Sequence, residues 1–250
     1  MSGGDLVSLR VLVATAVPAQ QELWQKGAAM ASVPIDCATA DAAASTAMLG
    51  QAGADICIID QDLPESERAA VIAAARAARP APLVFLSLPR GSHRTGNVDG
   101  VLAKPGSPES ARKLIELCTR AKIPTRVLIV DDSSTMRSIV RKILSASRFA
   151  FDVHEAAEGI AAIEQLNSGK FGLVFLDYNM PGFNGFETLS EIRRIAPQVS
   201  VVMMTSAATD ALIERAQSAG ALAFLRKPFY PADIDTVIER HYGLHVAGGS

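Results

Sequence analysis

In the second half of this 250-residue sequence, several apolar runs end on side chains able to do chemistry. Val127-Leu128-Ile129-Val130 leads into Asp131 and Asp132, Leu173-Val174-Phe175-Leu176 into Asp177, and Val201-Val202-Met203-Met204 into Thr205; Lys227 follows Ala221–Leu225 at a distance of two. If the runs are strands of one parallel sheet, their carboxyl ends share a crevice, which is where ligands bind in such sheets. Carboxylates, a hydroxyl and an ammonium would then converge. Two carboxylates about 4 Å apart repel by roughly 4 kcal/mol at an effective dielectric of about 20. Such a cluster calls for a cation or for shifted pKa values. Hard oxygen ligands around a small open site favour Mg²⁺ over Zn²⁺. One aspartate after a strand is ordinarily a turn residue or a helix cap. The ordered set, each member at a strand end, is what points to a site.

The elements that must position these residues are legible as a pattern. Strand-like segments at 127–130, 151–155, 173–176, 200–204 and 221–225 alternate with helix-like stretches at 134–146, 157–168, 184–195, 208–219 and 232–241. Several strands are unbroken apolar runs, as expected where helices cover both sheet faces. Repeated βα units predict an α/β fold with a doubly wound, five-stranded parallel sheet of flavodoxin-like (βα)5 type, and right-handed crossovers leave little else.

The first half repeats this pattern at an offset of 116 to 123 residues. Arg10-Val11-Leu12-Val13 matches Arg126-Val127-Leu128-Ile129, and the runs ending on Asp60 and Asp177 are each followed four residues on by Pro64 and Pro181. Leu83–Ser87 matches Val201–Thr205, and Lys104-Pro105 matches Lys227-Pro228. Two tandem domains, 1–121 and 122–250, explain the length, with the boundary at Lys122-Ile123-Pro124-Thr125, where the proline stops a helix. Ser87 to Lys104 spans 17 residues, against 22 from Thr205 to Lys227. The shorter interval, Pro89–Asn97, is turn-like, so the fourth helix is expected to be reduced or absent in the first domain.

Composition narrows the function classes. With 49% hydrophobic and 20% charged residues the chain can bury real cores, and a net charge of −2 gives no general attraction to nucleic acid or acidic membranes. Cys37, Cys57 and Cys118 are too few and too scattered for a disulfide framework or a metal knuckle, and read as core residues in a reducing compartment. Leu6–Ala16 resembles a signal peptide, but Asp5 stands where positive charge belongs and Arg10 splits the apolar stretch. No run reaches the roughly 18 apolar residues of a membrane span. A cytoplasmic location is expected, with neither nucleic acid nor membrane as partner.

Val130-Asp131-Asp132-Ser133-Ser134-Thr135-Met136-Arg137, Asp177-Tyr178-Asn179-Met180-Pro181, Thr205-Ser206 and Lys227-Pro228-Phe229 together resemble the receiver domains of two-component response regulators, most closely the single-domain chemotaxis type. The resemblance covers nearly the whole second half. It implies that Asp177 is the phosphoacceptor, taking a phosphoryl group from a histidine kinase or phosphotransfer protein. It further implies that Asp132, Asp177 and the Asn179 backbone carbonyl bind Mg²⁺, with Asp131 helping to position it. Thr205 would bond the phosphoryl group, Lys227 would pair with it, and Phe224 would be the switch aromatic that moves with Thr205. Ala207 departs from the chemotaxis pattern, which has a glutamate there.

The first half is similar to the same family with parts missing. Thr15 and Ala16 stand in place of the acidic pair, while Asp60, Ser87 and Lys104 remain at the acceptor, hydroxyl and lysine positions. A single carboxylate holds Mg²⁺ poorly. Lys104 is expected to pair with Asp60 in a relic site, and the domain to serve as a pseudo-receiver for docking, dimerisation or control. His241 and His245 have the spacing of a helical metal pair, but Gly243 lies between them; Ala69–Ala78 reads as a packed helix and Trp24 as core.

The expected function is therefore phosphorylation-controlled signalling toward a protein partner still to be identified, without an effector domain or an enzymatic activity of its own. A phosphate sink or relay intermediate is the variant reading. A haloacid-dehalogenase-type aspartyl phosphatase would need an acid at position 179, which is Asn, and a Rossmann oxidoreductase would need GxGxxG after a strand. No residues beyond about position 243 provide a winged helix or helix-turn-helix.

Overall fold

A computed structural model of the chain describes residues 8–89, 96–207 and 209–244. It contains two compact units, residues up to Lys122 together with the chain from Tyr242, and Ile123–His241.

The first unit runs β1 (Leu9–Ala14), α1 (Pro18–Ala29), β2 (Ile35–Ala40), α2 (Ala42–Gln51), β3 (Ile56–Asp60), α3 (Glu65–Ala77), β4 (Leu83–Leu88), β5 (Gly100–Ala103) and α4 (Pro108–Lys122). The second runs β6 (Thr125–Val130), α5 (Ser134–Ser145), β7 (Phe151–Ala156), α6 (Gly159–Ser168), β8 (Leu173–Asp177), α7 (Gly185–Ile195), β9 (Ser200–Thr205), α8 (Asp210–Ser218), β10 (Ala223–Arg226) and α9 (Pro231–Tyr242). Each sheet is five-stranded and parallel, in the orders β2-β1-β3-β4-β5 and β10-β9-β8-β6-β7, which is the doubly wound, flavodoxin-like arrangement.

Burial explains which runs became central strands. Every residue of β3 and β8 is buried, because helices cover both faces, whereas the edge strands β2 and β7 are largely half-exposed. In the second unit Leu128, Val174, Leu176 and Met203 meet Leu189 and Ile192 of α7 in one core. Caps fix where its helices begin. Ser133 accepts from the Met136 amide at α5, and Asn184 with Glu187 forms a capping box at α7. Thr209 caps α8.

Two expectations shift. The last strand begins at Ala223 rather than 221, since Gly220 at φ +91° and the turn around it take up the preceding residues. The domain limits 1–121 and 122–250 are corrected at both ends: α4 continues through Lys122, and Tyr242–Leu244 pack in the first unit. Leu244 is fully buried there, and its carbonyl accepts from the Val101 amide at 2.7 Å. The outer edge of β5 has a backbone donor that needs an acceptor, and this residue provides one. Among the described residues between β4 and β5, none is helical. The expected loss of the fourth helix falls on residues 90–95, outside the described residues, as does His245; of the signal-like segment, Leu6 and Val7 lie outside them too, while Leu9–Ala14 form the strand β1, buried from Val11 onward.

Trp24 is fully buried, and α3 packs Val71 and Ala75 inward, so both read as core. Cys57 and Cys118 are buried thiols and Cys37 is half-buried. Burial pushes Cys37 up to about 11, with Asp36 adding to it, and Cys57 up to about 12, so neither is a reactive thiolate near neutral pH. His241 bonds Ser200 Oγ at 2.9 Å through Nδ1. No described helix is long and apolar enough to cross a membrane.

Candidate functional site

In the second unit the parallel strands deliver the predicted residues to one place. Asp131 follows β6 directly and is fully buried, Asp177 ends β8 and is 3% exposed, Thr205 ends β9 and is fully buried, and Lys227 follows β10. Asp132 is exposed at the rim. Carboxylate oxygens of Asp131, Asp132 and Asp177 all lie within 4.8 Å of one another.

Lys227 holds this cluster together. Its Nζ donates to Asp131 Oδ2 at 2.7 Å and lies 2.9 Å from Asp177 Oδ1. The Asp131 Oδ1 atom accepts from the Ser133 amide at 2.9 Å. Burial holds the Asp177 carboxyl above its ordinary range; Lys227 and the Asn179 amide oppose that shift, and Asp131 adds to it. Burial also works against the Lys227 charge, but Asp131 and Asp177 outweigh it and raise its pKa. Thr205 Oγ1 accepts from the Ala207 amide at 3.2 Å and from Asn179 Nδ2 at 3.4 Å, which leaves its own proton available for donation.

These residues fit a hard divalent cation. Asp177 Oδ1 is shielded from water and has Lys227 as an ionic neighbour but no hydrogen bond of good geometry, and the neighbouring acids leave more negative charge than one ammonium offsets. An oxygen-only set with an open rim suits Mg²⁺, which keeps several waters and takes one or two carboxylates beside a phosphate. Phe224 is half-buried against the core and lines surface hollows beside α9.

A glycine that sequence reading passed over lets α7 approach the acceptor loop. A Cβ on Gly185 would stand 2.5 Å from the Asp177 carbonyl oxygen and 2.7 Å from Tyr178 Cα, both backbone atoms with nowhere to go. Its amide donates to the Tyr178 carbonyl at 3.2 Å. Gly182, at φ +74°, makes the preceding turn.

The first unit assembles the reduced set. Asp60 is fully buried and accepts from Thr15 Oγ1 at 3.1 Å and from the Asp62 amide at 3.2 Å, with Lys104 Nζ 3.2 Å away. Lys104 also pairs with Asp62, a second carboxylate that the sequence reading missed although Asp62 holds the place of Asn179. Burial opposes the Lys104 charge, but Asp62 and Asp60 raise its pKa. Ala16 is exposed and makes no part of this network, and Ser87 Oγ is buried without a hydrogen-bond partner among the described residues. The expected Lys104–Asp60 pair is present, with Asp62 as an added partner.

Comparison with known proteins agrees with the geometry of the second unit. Residues 127–239 match the family model of the response regulator receiver domain. The chain is 37% identical over 121 residues to chemotaxis protein CheY-3 of Vibrio cholerae, a match covering 46% of this chain and 92% of that protein. It is 38% identical over 121 residues to the transcriptional regulatory protein PdtaR of Mycobacterium tuberculosis, covering 48% of this chain and only 57% of PdtaR. The chain thus spans little more than half the length of that relative. A solved structure described as a probable two-component system response regulator/GGDEF domain protein superposes with a TM-score of 0.55, covering 94% of this chain and 98% of the other at 19% identity, a likeness of fold across both units. With an acidic cluster, hydroxyl and lysine on the strand ends of a five-stranded parallel sheet, and with this similarity, the chain belongs to the response regulator receiver domain family.

Proposed function

We propose that the protein is a cytoplasmic response regulator whose second unit accepts a phosphoryl group on Asp177 from the phosphohistidine of a histidine kinase or phosphotransfer protein. The observation that carries this reading is the bridging of Asp131 and Asp177 by Lys227, at 2.7 and 2.9 Å, beside the buried Thr205 hydroxyl. An Asp177 oxygen attacks phosphorus, the P–N bond breaks, and the imidazole leaves with the electron pair. Such transfer depends on positioning and charge neutralisation more than on covalent help from the protein. Asp131, Asp132, Asp177 and the Asn179 carbonyl would hold Mg²⁺, which when bound supplies neutralisation of the phosphoryl oxygens. Lys227 stays paired with the acceptor, and Thr205 donates its free proton to the incoming group. The new acceptor oxygens draw Thr205 inward and open space for Phe224, so the output is altered affinity for a protein partner rather than catalysis.

The first unit we read as a pseudo-receiver. Its acceptor-position Asp60 already has Thr15, Lys104 and the Asp62 amide as partners, and Thr15-Ala16 offers no acidic pair. Incubation of the full chain with acetyl phosphate and Mg²⁺ is expected to add one phosphoryl group, lost in Asp177→Asn and kept in Asp60→Asn. Undiminished labelling of Asp177→Asn would overturn the assignment.

A further inference from the structure

The two units contain the same local scaffold twice, and it differs at one informative spot. β1, α1 and β2 begin 116 residues before β6, α5 and β7. In the first unit Gln21 Nε2 donates to the Thr15 carbonyl at 3.0 Å, and Gln25 Nε2 donates to Thr39 Oγ1 at 2.9 Å. The residues 116 positions later are Arg137, Asp131, Arg141 and Glu155. Arg137 Nη1 donates to the Asp131 carbonyl at 2.7 Å and to the Asp132 carbonyl at 3.3 Å. Its Nε donates to Glu155 Oε2 at 3.0 Å, and Arg141 Nε donates to Glu155 Oε1 at 2.7 Å. The Glu155 carbonyl is itself bound by Gln165 Nε2 at 2.9 Å. Where the strand end carries Thr15-Ala16 the brace is a neutral amide. Where it carries the acidic pair the brace is a guanidinium anchored by a carboxylate.

The chemistry accounts for the difference. The peptides after β6 must hold two adjacent carboxylates against their mutual repulsion and that of Asp177, and a carbonyl bond from a charged donor is about twice as strong as a neutral one. A fork that reaches both carbonyls fixes the orientation of these peptides, and therefore the direction in which the side chains leave them. Glu155 is shared by Arg137 and Arg141, so it offsets one of their two charges and leaves the brace with a single net positive charge behind the peptides. The Arg137 side chain is 16% exposed, so this is an interior fixture and not a solvated surface pair.

We propose that Arg137, anchored by Glu155, which Arg141 holds in turn, is a positioning residue that sets the Asp131–Asp132 segment for divalent-cation binding. The proposal rests on the receiver reading of the second unit. It acts through the ligand residues and touches neither the phosphoryl group nor Asp177.

The test is calorimetric titration of the full chain with Mg²⁺, paired with acetyl phosphate labelling across Mg²⁺ concentrations. Loss of a partner that orients metal ligands typically weakens affinity by tenfold or more. Arg137→Ala is expected to bind Mg²⁺ about tenfold more weakly, and to need correspondingly more Mg²⁺ for half-maximal labelling while the rate at saturation is retained. Arg137→Gln, which keeps a donor of the kind Gln21 provides in the first unit, should fall between wild type and Arg137→Ala. If Arg137→Ala does not fold, Glu155→Gln serves in its place, with a smaller loss of Mg²⁺ affinity expected. Wild-type Mg²⁺ affinity in folded Arg137→Ala and Glu155→Gln, or a fall in the saturated rate with unchanged half-saturation, would overturn the proposal. A wild-type chain that binds Mg²⁺ but is not labelled on Asp177 would refute the phosphoacceptor reading and leave the brace standing on the affinity results. A wild-type chain that binds no Mg²⁺ would overturn the brace itself.

Discussion

Replacing Lys227 by methionine removes the one ammonium between Asp131 and Asp177 while keeping a side chain of similar length. The two carboxylates, 0% and 3% exposed, then face each other without a counter-charge. The cheapest relief is protonation of one of them, and Asp177 is the candidate because burial already holds its pKa up. Protonating a carboxyl away from its pKa costs about 1.4 kcal/mol per pH unit, or about 4 kcal/mol at pH 7 from an ordinary value near 3.9. This is a ceiling, since the Asp177 pKa starts higher. A deficit of about 3 kcal/mol at pH 7 is expected, in line with about 3–5 for stripping one partner from a buried pair. In the variant the folded pKa of Asp177 lies above the unfolded one, so the penalty is full above that folded pKa and is lost as pH falls through it. At pH 5 about 1 kcal/mol should remain. In the wild type the sign runs the other way: the raised Lys227 pKa means its contribution is present below the ordinary lysine value and lost as pH rises through the folded one. The two proteins should therefore converge in alkali as well as in acid. Urea-dependent amide hydrogen exchange of β6 and β8 is the suitable assay, because Trp24, the only tryptophan, reports on the first unit. Equal stability of the two proteins at pH 7, or a deficit that grows as pH falls, would mean that Lys227 does not offset the Asp131 and Asp177 charges.

Two further outcomes are expected. Gly185→Ala places a Cβ 2.5 Å from the Asp177 carbonyl oxygen, so the second unit should lose about 1–3 kcal/mol in urea unfolding and Asp177 should be labelled more slowly by acetyl phosphate; a neutral substitution would mean the β8–α7 loop yields freely. Beryllofluoride with Mg²⁺ should change hydrogen-exchange protection in α8 and β10, the elements that follow Thr205 and carry Phe224, and leave β4 and β5 unaltered; changes confined to β4 and β5 would make the first unit the responsive one.

The residues of the second-unit site were readable in order from the chain because a parallel sheet sends every strand end to the same edge. Once Val127–Val130, Leu173–Leu176 and Val201–Met204 read as buried strands, Asp131, Asp177 and Thr205 had to meet, and the repeated pattern placed Asp60, Ser87 and Lys104 likewise. Hydrophobic period and strand-end position are local properties, and local properties survive in one dimension. Contacts across elements do not. That Lys227 bridges Asp131 and Asp177, that Asp62 joins Asp60 on Lys104, and that Leu244 closes the β5 edge depend on side-chain reach and backbone valences in three dimensions. Gly185 looks like any loop glycine until α7 is seen lying on the Asp177 backbone. The two α/β sheets and the side chains at their strand ends follow from local pattern in the chain. How those charges pair and, through Arg137 and Glu155, how the acidic pair is held emerges only when the chain is folded, because a side-chain hydrogen bond between elements leaves no periodic trace.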